Sequence, residues 1–323
     1  MPKWEFIDGL TRKLIESYDP AWRCALEAAL ESRATPFQSG YYVNTGAVTK
    51  RGHIVSGANH EMAITDTVTH GEEAVIAAAL DRYGKDDPIQ VIAFAGQESG
   101  ISSPCGNCRD AIRQYTDLNN LVVIGAPRIG GTAVLVKGKT FFTDSFKEAT
   151  EEEKERLFVD NLVYHVLKAE KNAYDIYLTE SSPKIYGAVI VCENGMAFRG
   201  SFRGDVAYHP VLPISAAISN FRDGSDDLSR KDVKSIVVAA TGRIPDVMYK
   251  DRQHALEFAE AIQELNEKPG ISLPVYLVNI GKIVRTTKVF KTDTKEWLPF
   301  SFSPKHLGLA KEVAAGYEKL FEK

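Results

Sequence analysis

The segment HGEEAVIAAALDRYG, residues 70–84, begins the part of the chain on which the fold prediction rests. It is rich in good helix formers and closes on a glycine, which often follows a helix C-terminus. The apolar runs IQVIAF at 89–94 and LVVI at 121–124 predict buried strands, and PCGNCRDAIRQY at 104–115 predicts a second helix between them. Strands that alternate with helices predict an α/β fold in which helices cover the sheet.

Metal-ligating residues stand at the start of both predicted helices. His70 opens the first, and Cys105 and Cys108 share a face of the second at i and i+3. A catalytic zinc ion usually takes three protein ligands and leaves a fourth position for water, so one imidazole and two thiolates are a complete set. The positive ends of the two helix dipoles also favour thiolate over thiol. The sequence therefore predicts a catalytic Zn²⁺ held by His70, Cys105 and Cys108.

Glu72 is the predicted acid and base of this site. Zinc lowers the pKa of a bound water to about 7, and a carboxylate two residues from a ligand can reach that water without binding the metal. Glu73 is the competing candidate. We interpret Glu73 as an exposed charge of the first helical turn that the helix dipole favours.

The cysteine pair has two other interpretations. A Cys-x-x-Cys pair alone is more often half of a structural zinc site or a redox pair than a catalytic centre. A structural zinc would need a fourth protein ligand, and the remaining cysteines, Cys24 and Cys192, lie at no ligand-like spacing. We therefore favour the catalytic site.

Composition limits the class of function. The chain has 323 residues and a formal net charge of -4, which argues against a broad phosphate-binding surface and a polymeric nucleic acid substrate. It begins with no basic-then-apolar leader and contains no run of about 18 apolar residues. Four cysteines, two of them assigned to metal, fit a reducing compartment. We expect a cytoplasmic protein that binds no membrane.

Four segments are predicted along the chain. Residues 1–34 form an N-terminal helical arm, and residues 35–150 form the catalytic domain with the order β-β-α-β-α-β. Residues 151–172, highly charged at their start, are interpreted as a linker helix. Residues 173–323 are interpreted as a degenerate copy of the catalytic domain without a zinc site.

The first test of this repeat aligns two helices by their closing glycines. Gly84 and Gly224 differ by 224 − 84 = 140 residues. This offset places Pro210 opposite the metal-binding histidine and Leu212 opposite the predicted acid.

A second alignment uses the glycines at the ends of two strands. Gly96 and Gly242 differ by 242 − 96 = 146 residues. This offset places Asp251 and His254 opposite the two cysteines. The copy then lacks a complete ligand set, although an aspartate and a histidine could in principle bind some other metal.

In these motifs the chain resembles the two-domain cytidine deaminases. In that family a catalytic domain precedes a degenerate copy, and two chains form a homodimer. The resemblance covers about residues 35–280 and depends on the zinc signature, on GANHE at 57–61 and on AYHPVLP at 207–213. It implies a three-layer α-β-α cytidine-deaminase-like fold, duplicated with a degenerate second copy. It also implies a pyrimidine nucleoside substrate and a homodimer.

The resemblance implies that Asn59 and Glu61 bind the sugar. A carboxylate can accept from two vicinal hydroxyl groups, while an amide both donates and accepts. Their i, i+2 spacing in an extended segment points both side chains to one face. The alternative is a solvated loop after a strand.

Three further binding residues are implied only by the resemblance. Tyr42 falls near the aromatic that stacks on the pyrimidine, although Tyr41 and Val43 compete for this role. Gly71 suits a position whose backbone faces the base. Ser103 would offer its carbonyl oxygen to the exocyclic amine.

The predicted activity is the hydrolytic deamination of cytidine and deoxycytidine in pyrimidine salvage. A modified cytidine (N4-acylated, 5-substituted or 5′-phosphorylated) is the nearest alternative, because the loop at 97–101 could widen the amine side. The nearby cations for a 5′-phosphate are Lys50, Arg51 and His60. A non-catalytic, zinc-stabilised binding protein is a further alternative. The segment WLPFSFSP at 297–304 resembles a family segment that borders an active site, its own or a neighbour's.

Overall fold

A computed structural model describes twelve stretches of the chain. They are residues 20–36, 39–62, 68–96, 103–127, 133–142, 146–159, 162–173, 185–204, 210–223, 233–265, 272–281 and 286–298. Described residues up to 142 form one compact unit, and those from 146 onward form a second. Residues 1–19 of the predicted arm, the loop at 97–101, residues 207–209 of the segment 207–213 and all but two residues of 297–304 lie outside the described residues.

The first unit is built from an antiparallel hairpin followed by alternating helices and strands. Its elements are α1 (Pro20–Glu31), β1 (Val43–Thr49), β2 (Ile54–Ala58), α2 (Gly71–Tyr83), β3 (Ile89–Gly96), α3 (Gly106–Tyr115), β4 (Val122–Pro127), β5 (Val134–Lys137) and α4 (Gly138–Phe141). The strands lie in the order β2-β1-β3-β4-β5. Only β3 and β4 are parallel, and the other neighbouring pairs are antiparallel.

Helices cover both faces of this sheet. A Cβ on Gly46 of β1 would lie 2.1 Å from the carbonyl oxygen of Ala25 in α1, whereas the adjacent Thr45 faces Gly71 at the start of α2. Since neighbouring residues of a strand point to opposite faces, α1 and α2 lie on opposite sides of the sheet. The three-layer α-β-α prediction is confirmed. The buried alanines of α1, Ala25 and Ala29 among them, allow this close approach.

The second unit repeats this plan. Its elements are β6 (Lys147–Glu148), α5 (Glu151–Val159), α6 (Leu162–Lys171), β7 (Gly187–Cys192), β8 (Ala197–Ser201), α7 (Pro213–Asp223), β9 (Val233–Thr241), α8 (Tyr249–Leu265), β10 (Pro274–Ile280) and β11 (Lys288–Asp293). The order β8-β7-β9-β10-β11 matches β2-β1-β3-β4-β5, with β6 added beside β11. The parallel pair is β9–β10, which corresponds to β3–β4.

Alternation along β7 separates two apolar layers. Val189 and Val191 pack in one buried cluster with Val166 of α6. Ala188 and Ile190 pack in the opposite cluster, which includes residues of α7 and α8. The second unit is therefore covered on both faces as well.

The segment predicted as a single linker helix, 151–172, contains the two helices α5 and α6. A Cβ on Gly187 would lie 2.3 Å from the backbone nitrogen of Glu170 in α6, just as Gly46 lies against α1. Because both glycines admit a helix backbone onto the equivalent strand, α6 occupies the layer in the second unit that α1 occupies in the first. It is part of a three-layer unit.

The structure corrects the first predicted alignment of the repeat. Helices α2 and α7 begin at Gly71 and Pro213, an offset of 213 − 71 = 142, and Leu212 therefore stands opposite His70. Ile214 stands opposite Glu72. The offset of 140 is wrong because α2 has 13 residues and α7 has 11, so an alignment by helix ends shifts the starts by two.

The alignment of the cysteine helix also changes. Arg109 in α3 donates from Nε to the carbonyl oxygen five residues earlier, and Arg252 in α8 does the same. Their offset is 252 − 109 = 143, which places Met248 opposite Cys105 and Asp251 opposite Cys108. The predicted placement of Asp251 and His254 is therefore wrong. Residues 97–105 connect β3 to α3 and residues 242–248 connect β9 to α8, so this connection is 9 − 7 = 2 residues shorter in the second unit.

The helices of the described residues are too short or too polar to cross a lipid bilayer.

Candidate metal centre

The predicted ligands lie at the N-termini of two helices that pack together. His70 directly precedes α2 and Cys105 directly precedes α3, and both have extended backbone conformations, with ψ of 151° and 172°. Cys108 lies in the first turn of α3 and is completely buried. The change from extended to helical backbone at both points turns these side chains toward one location.

The three ligand atoms are spaced as a tetrahedral zinc site requires. His70 Nδ1 lies 3.4 Å from Cys105 Sγ and 3.2 Å from Cys108 Sγ, and the two sulfur atoms are 3.6 Å apart. Tetrahedral bonds of about 2.3 Å to sulfur and 2.05 Å to nitrogen give separations of about 3.8 Å for S–S and 3.6 Å for S–N. The observed distances agree within about 0.4 Å. Within the described part of the chain, these three residues are the one His, Cys, Asp or Glu group so arranged.

Glu72 is buried beside this group. Its side chain is 3 % exposed, and the Cys108 thiol donates to its Oε2 at 3.4 Å. Burial, assisted by the negative Cys105, raises the pKa of Glu72 to about 7. A carboxyl group with a pKa near neutrality can both take and return a proton at that pH.

The ligands themselves share protons within the cluster. The hydrogen bond with Cys105 raises the pKa of His70 to about 9. The hydrogen bond with Cys108 holds the pKa of Cys105 well below its usual value, while burial raises the pKa of Cys108. Metal binding displaces such protons, because a thiolate and a neutral imidazole are the ligand forms.

Glu73 differs from its predicted role as an exposed helix-start charge. It is half-buried and accepts from the backbone N–H of His70 at 3.2 Å. Its other oxygen accepts a short hydrogen bond from Asn107 Nδ2. Glu73 therefore connects the two ligand-bearing segments, whereas Glu72 accepts from a ligand thiol.

Arg109 was not predicted from the sequence, although it is completely buried beside the cysteines. It donates from Nε to the Pro104 carbonyl oxygen at 3.1 Å and from Nη2 to Ser103 Oγ at 3.0 Å. Its guanidinium lies 4.4 Å from the centre of the Phe141 ring. The sequence feature that could have indicated this role is an arginine on the inward face of a short helix, next to a ligand. Arg109 fixes the backbone that leads into Cys105.

Asn59 uses much of its hydrogen-bonding capacity on the segment before β1. Its Oδ1 accepts from the Val43 N–H at 2.9 Å, and its Nδ2 donates to the Tyr41 carbonyl oxygen at 2.8 Å. One N–H and one lone pair of the amide are not used in these two bonds. Asn59 thus fixes the backbone on either side of Tyr42, which is half-buried.

Glu61, the second predicted sugar ligand, bonds to Ser39. One oxygen accepts from the Ser39 N–H at 2.9 Å, and the other accepts a short hydrogen bond from the Ser39 hydroxyl. A carboxylate offers about four acceptor positions. The Ser39 hydroxyl also demonstrates that this carboxylate accepts from an alcohol.

Gly71 is buried against β1. A Cβ at this position would lie 2.5 Å from Thr45 Oγ1 and 3.2 Å from the Val43 carbonyl oxygen. The glycine is therefore needed for close packing between α2 and the sheet. Ser103, the remaining predicted residue, directly precedes Pro104 and accepts from Arg109 through its hydroxyl.

In the second unit, Asp251 stands at the position equivalent to Cys108. Asp251 accepts from the Tyr186 hydroxyl, the Ile214 N–H and the Ser215 N–H at 2.9, 2.9 and 3.0 Å. These donors occupy both of its oxygen atoms. The metal site considered for Asp251 and His254 is therefore not supported, because the carboxylate already connects the start of α7 to α8.

One family of known proteins matches part of the first unit. Residues 16–125 match the family described as "Cytidine and deoxycytidylate deaminase zinc-binding region", and this range includes all three ligands. No curated protein matches the chain.

Several solved structures resemble about a third of the chain. The cytidine deaminase from Burkholderia pseudomallei is 23 % identical, with a TM-score of 0.34, over 39 % of this chain and 96 % of its own. That from Mycobacterium leprae is 18 % identical, with a TM-score of 0.32, over 39 % and 99 %. That from Mycobacterium tuberculosis is 22 % identical, with a TM-score of 0.30, over 32 % and 85 %. At these values the likeness carries no argument about activity.

The family match and the ligand geometry agree on the cofactor. The matched family is a zinc-binding one, and the His/Cys/Cys group fits Zn²⁺ in ligand type, number and spacing. The match supports the cytidine deaminase-like superfamily for residues 16–125 and a deaminase type of hydrolase.

Proposed function

We propose that this chain is a zinc-dependent hydrolase that converts cytidine and deoxycytidine to uridine and deoxyuridine with release of ammonia. The observation that carries the proposal is the buried Glu72 carboxyl, 3.4 Å from a ligand sulfur in a three-ligand group. Three ligands leave one position for water, and the adjacent carboxyl supplies acid and base catalysis. A structural zinc site would require neither feature.

Glu72 moves the protons of the proposed reaction. Zinc, when bound, supplies a water molecule that is acidic enough to be activated near neutral pH. Glu72 would accept a proton from the attacking water, whose oxygen bonds to ring carbon 4, and would deliver that proton to ring nitrogen 3. Glu72 would then move the remaining proton of the former water to the exocyclic nitrogen, and the C4–N bond would break as ammonia leaves. Water and cytidine would thereby be converted to uridine and ammonia.

The substrate would be positioned by residues of the segments that flank β1 and β2 and by residues near the starts of α2 and α3. Glu61 and the unused N–H and lone pair of Asn59 would bind the sugar hydroxyls. Tyr42 would stack on the base, in a segment that Asn59 holds through its backbone. The backbone of Gly71 would border the ring, and the Ser103 carbonyl oxygen would accept from the amine. We place this activity in pyrimidine salvage, in a cytoplasmic homodimer.

A panel of substrates tests the proposal. Purified protein with quantified zinc is mixed with cytidine, deoxycytidine, cytidine monophosphate and an N4-acylated cytidine, and the ultraviolet absorbance change and released ammonia are measured. Rapid turnover of the two unmodified nucleosides supports the proposal. Turnover of only a modified or phosphorylated cytidine would support the proposed deamination mechanism but refute cytidine and deoxycytidine as the substrates.

A matched variant separates catalysis from zinc-dependent binding. Glu72→Gln keeps the side-chain volume but cannot carry a proton, so turnover should fall while bound zinc stays at one per chain. If Glu72→Gln left turnover unchanged, the proposed role of Glu72 would be refuted. If zinc-loaded wild-type protein were inert toward the whole panel, the non-catalytic alternative would be favoured.

A further inference from the structure

Glu73 and Asn107 form a bridge between the two segments that carry the proposed zinc ligands. Glu73 Oε1 accepts a short hydrogen bond from Asn107 Nδ2, across 34 positions of sequence. Glu73 Oε2 accepts from the backbone N–H of His70 at 3.2 Å. Asn107 stands between Cys105 and Cys108. One carboxylate thus contacts the backbone of the histidine ligand and a side chain located between the two cysteine ligands.

Helix capping alone does not explain this arrangement. A first-turn glutamate commonly accepts from the backbone N–H that precedes its helix, which needs one oxygen atom. The second oxygen of Glu73 bonds to Asn107 in a different helix, α3, and therefore does not cap the N-terminus of α2. It instead limits how far the start of α3 can move away from the start of α2.

The ligand distances depend on that separation. The His70 nitrogen lies within 3.4 Å of both sulfur atoms. The histidine and the cysteines are nevertheless separated by at least 35 positions of the chain. Fixing the two helix starts before the metal arrives lowers the entropy that metal binding must overcome. Groups outside the ligand set that orient the ligands typically change metal affinity by roughly 10- to 100-fold when they are removed.

We infer that Glu73 and Asn107 are positioning residues that hold His70, Cys105 and Cys108 at zinc-binding distance before the metal binds. The inference rests on the zinc site of the proposed function and not on its substrate. Neither side chain is assigned contact with metal or nucleoside.

Asn107→Ala is the decisive variant, because it breaks the bridge while the bond from the His70 N–H to Glu73 remains. Zinc affinity is measured by competition with a chromogenic chelator, and the visible spectrum of the Co²⁺-loaded protein reports ligand geometry. We expect zinc affinity to fall roughly 10- to 100-fold, with an altered Co²⁺ spectrum. Glu73→Ala combined with Asn107→Ala should bind zinc no more weakly than Glu73→Ala alone, because both changes break the same bond.

A swap of the two groups provides rescue. Asn107→Asp alone places two carboxylates in contact and should weaken zinc binding. Combined with Glu73→Gln, it restores a pair in which the new amide donates to the new carboxylate, while the amide oxygen accepts from the His70 N–H. Recovery of affinity and of the Co²⁺ spectrum supports the bridge. Failure of the swap to improve on Asn107→Asp would overturn it.

A capping residue of the second unit serves as the control. Thr150 accepts from the Glu153 N–H at 3.3 Å at the start of α5, so Thr150→Ala removes a helix cap in the unit that lacks the zinc ligands. It should leave zinc affinity unchanged. Wild-type affinity in Asn107→Ala, with folding verified by circular dichroism, would refute the inference. Because every readout is metal binding, the outcome is independent of whether cytidine is the substrate.

Discussion

Replacement of Asp251 should loosen the start of α7 in the second unit. This carboxylate accepts from the Tyr186 hydroxyl and the Ile214 N–H on one oxygen and from the Ser215 N–H on the other. It is completely buried, so no water is available to replace these bonds. Asp251 connects the starts of α7 and α8 in the second unit. In the first unit, the ligand cluster lies between the starts of the corresponding helices, α2 and α3.

The structure sets the size of the effect. Asp251→Ala leaves two backbone N–H groups and a phenol without their acceptor, and at roughly 1–3 kcal/mol for each buried donor we expect a loss of about 4 kcal/mol. Asp251→Asn places an NH₂ group against at least one backbone N–H, whichever way the amide is turned. Its cost should therefore be about 2 kcal/mol.

Hydrogen exchange followed by mass spectrometry measures this effect locally. Exchange in the peptide that spans Pro213–Asp223 should accelerate roughly 30-fold in Asp251→Asn, the equivalent of about 2 kcal/mol, and more in Asp251→Ala. Removal of zinc from the wild-type protein should instead accelerate exchange in Gly71–Tyr83. Unchanged exchange in Pro213–Asp223 for both variants would refute the structural role of Asp251.

Three further changes test the first unit. Gly71→Ala should cost roughly 1–3 kcal/mol in urea unfolding, because the added Cβ would lie 2.5 Å from Thr45 Oγ1, and Thr45→Ala should recover part of that loss. Arg109→Met should lower stability by about 3 kcal/mol and reduce bound zinc, since two hydrogen bonds to the segment before the cysteines are lost. Burial alone would raise the pKa of Asp87, but hydrogen bonds from His53 and its other donors outweigh burial and hold it below the ordinary 3.8. Ionised Asp87 therefore stabilises the fold above pH 3.8, and this stabilisation is lost as the pH falls below it. In Asp87→Asn, acid unfolding followed by circular dichroism should show a smaller loss across that range, and an equal loss would contradict the assignment.

The parts of the site that depend on short spacings were predictable from sequence. His70, Cys105 and Cys108 each stand beside a helix start, and helix composition and spacing mark those starts. The alternation of helices and strands likewise predicted the covered sheet of the first unit. Such features depend on residues within a few positions of one another.

The parts that depend on contacts between distant segments were not predictable. The bond between Glu73 and Asn107 spans 34 positions, and the first-turn position of Glu73 alone favoured an exposed charge. The same holds for the repeat, since helix ends and connections changed length while each unit has a glycine on its first long strand that a helix backbone approaches. The packing of α6 on its sheet was also not predicted, because the charged residues before α6 favoured a linker helix.

Turnover of cytidine by zinc-matched wild-type protein and Glu72→Gln is the most direct test of the central claim. Ammonia release is measured at pH 7, with one zinc per chain verified in both proteins. We predict that wild-type protein releases ammonia and that Glu72→Gln is slower by roughly 10²- to 10⁴-fold. Equal rates in the two proteins, or no ammonia from the zinc-loaded wild type, would contradict the account.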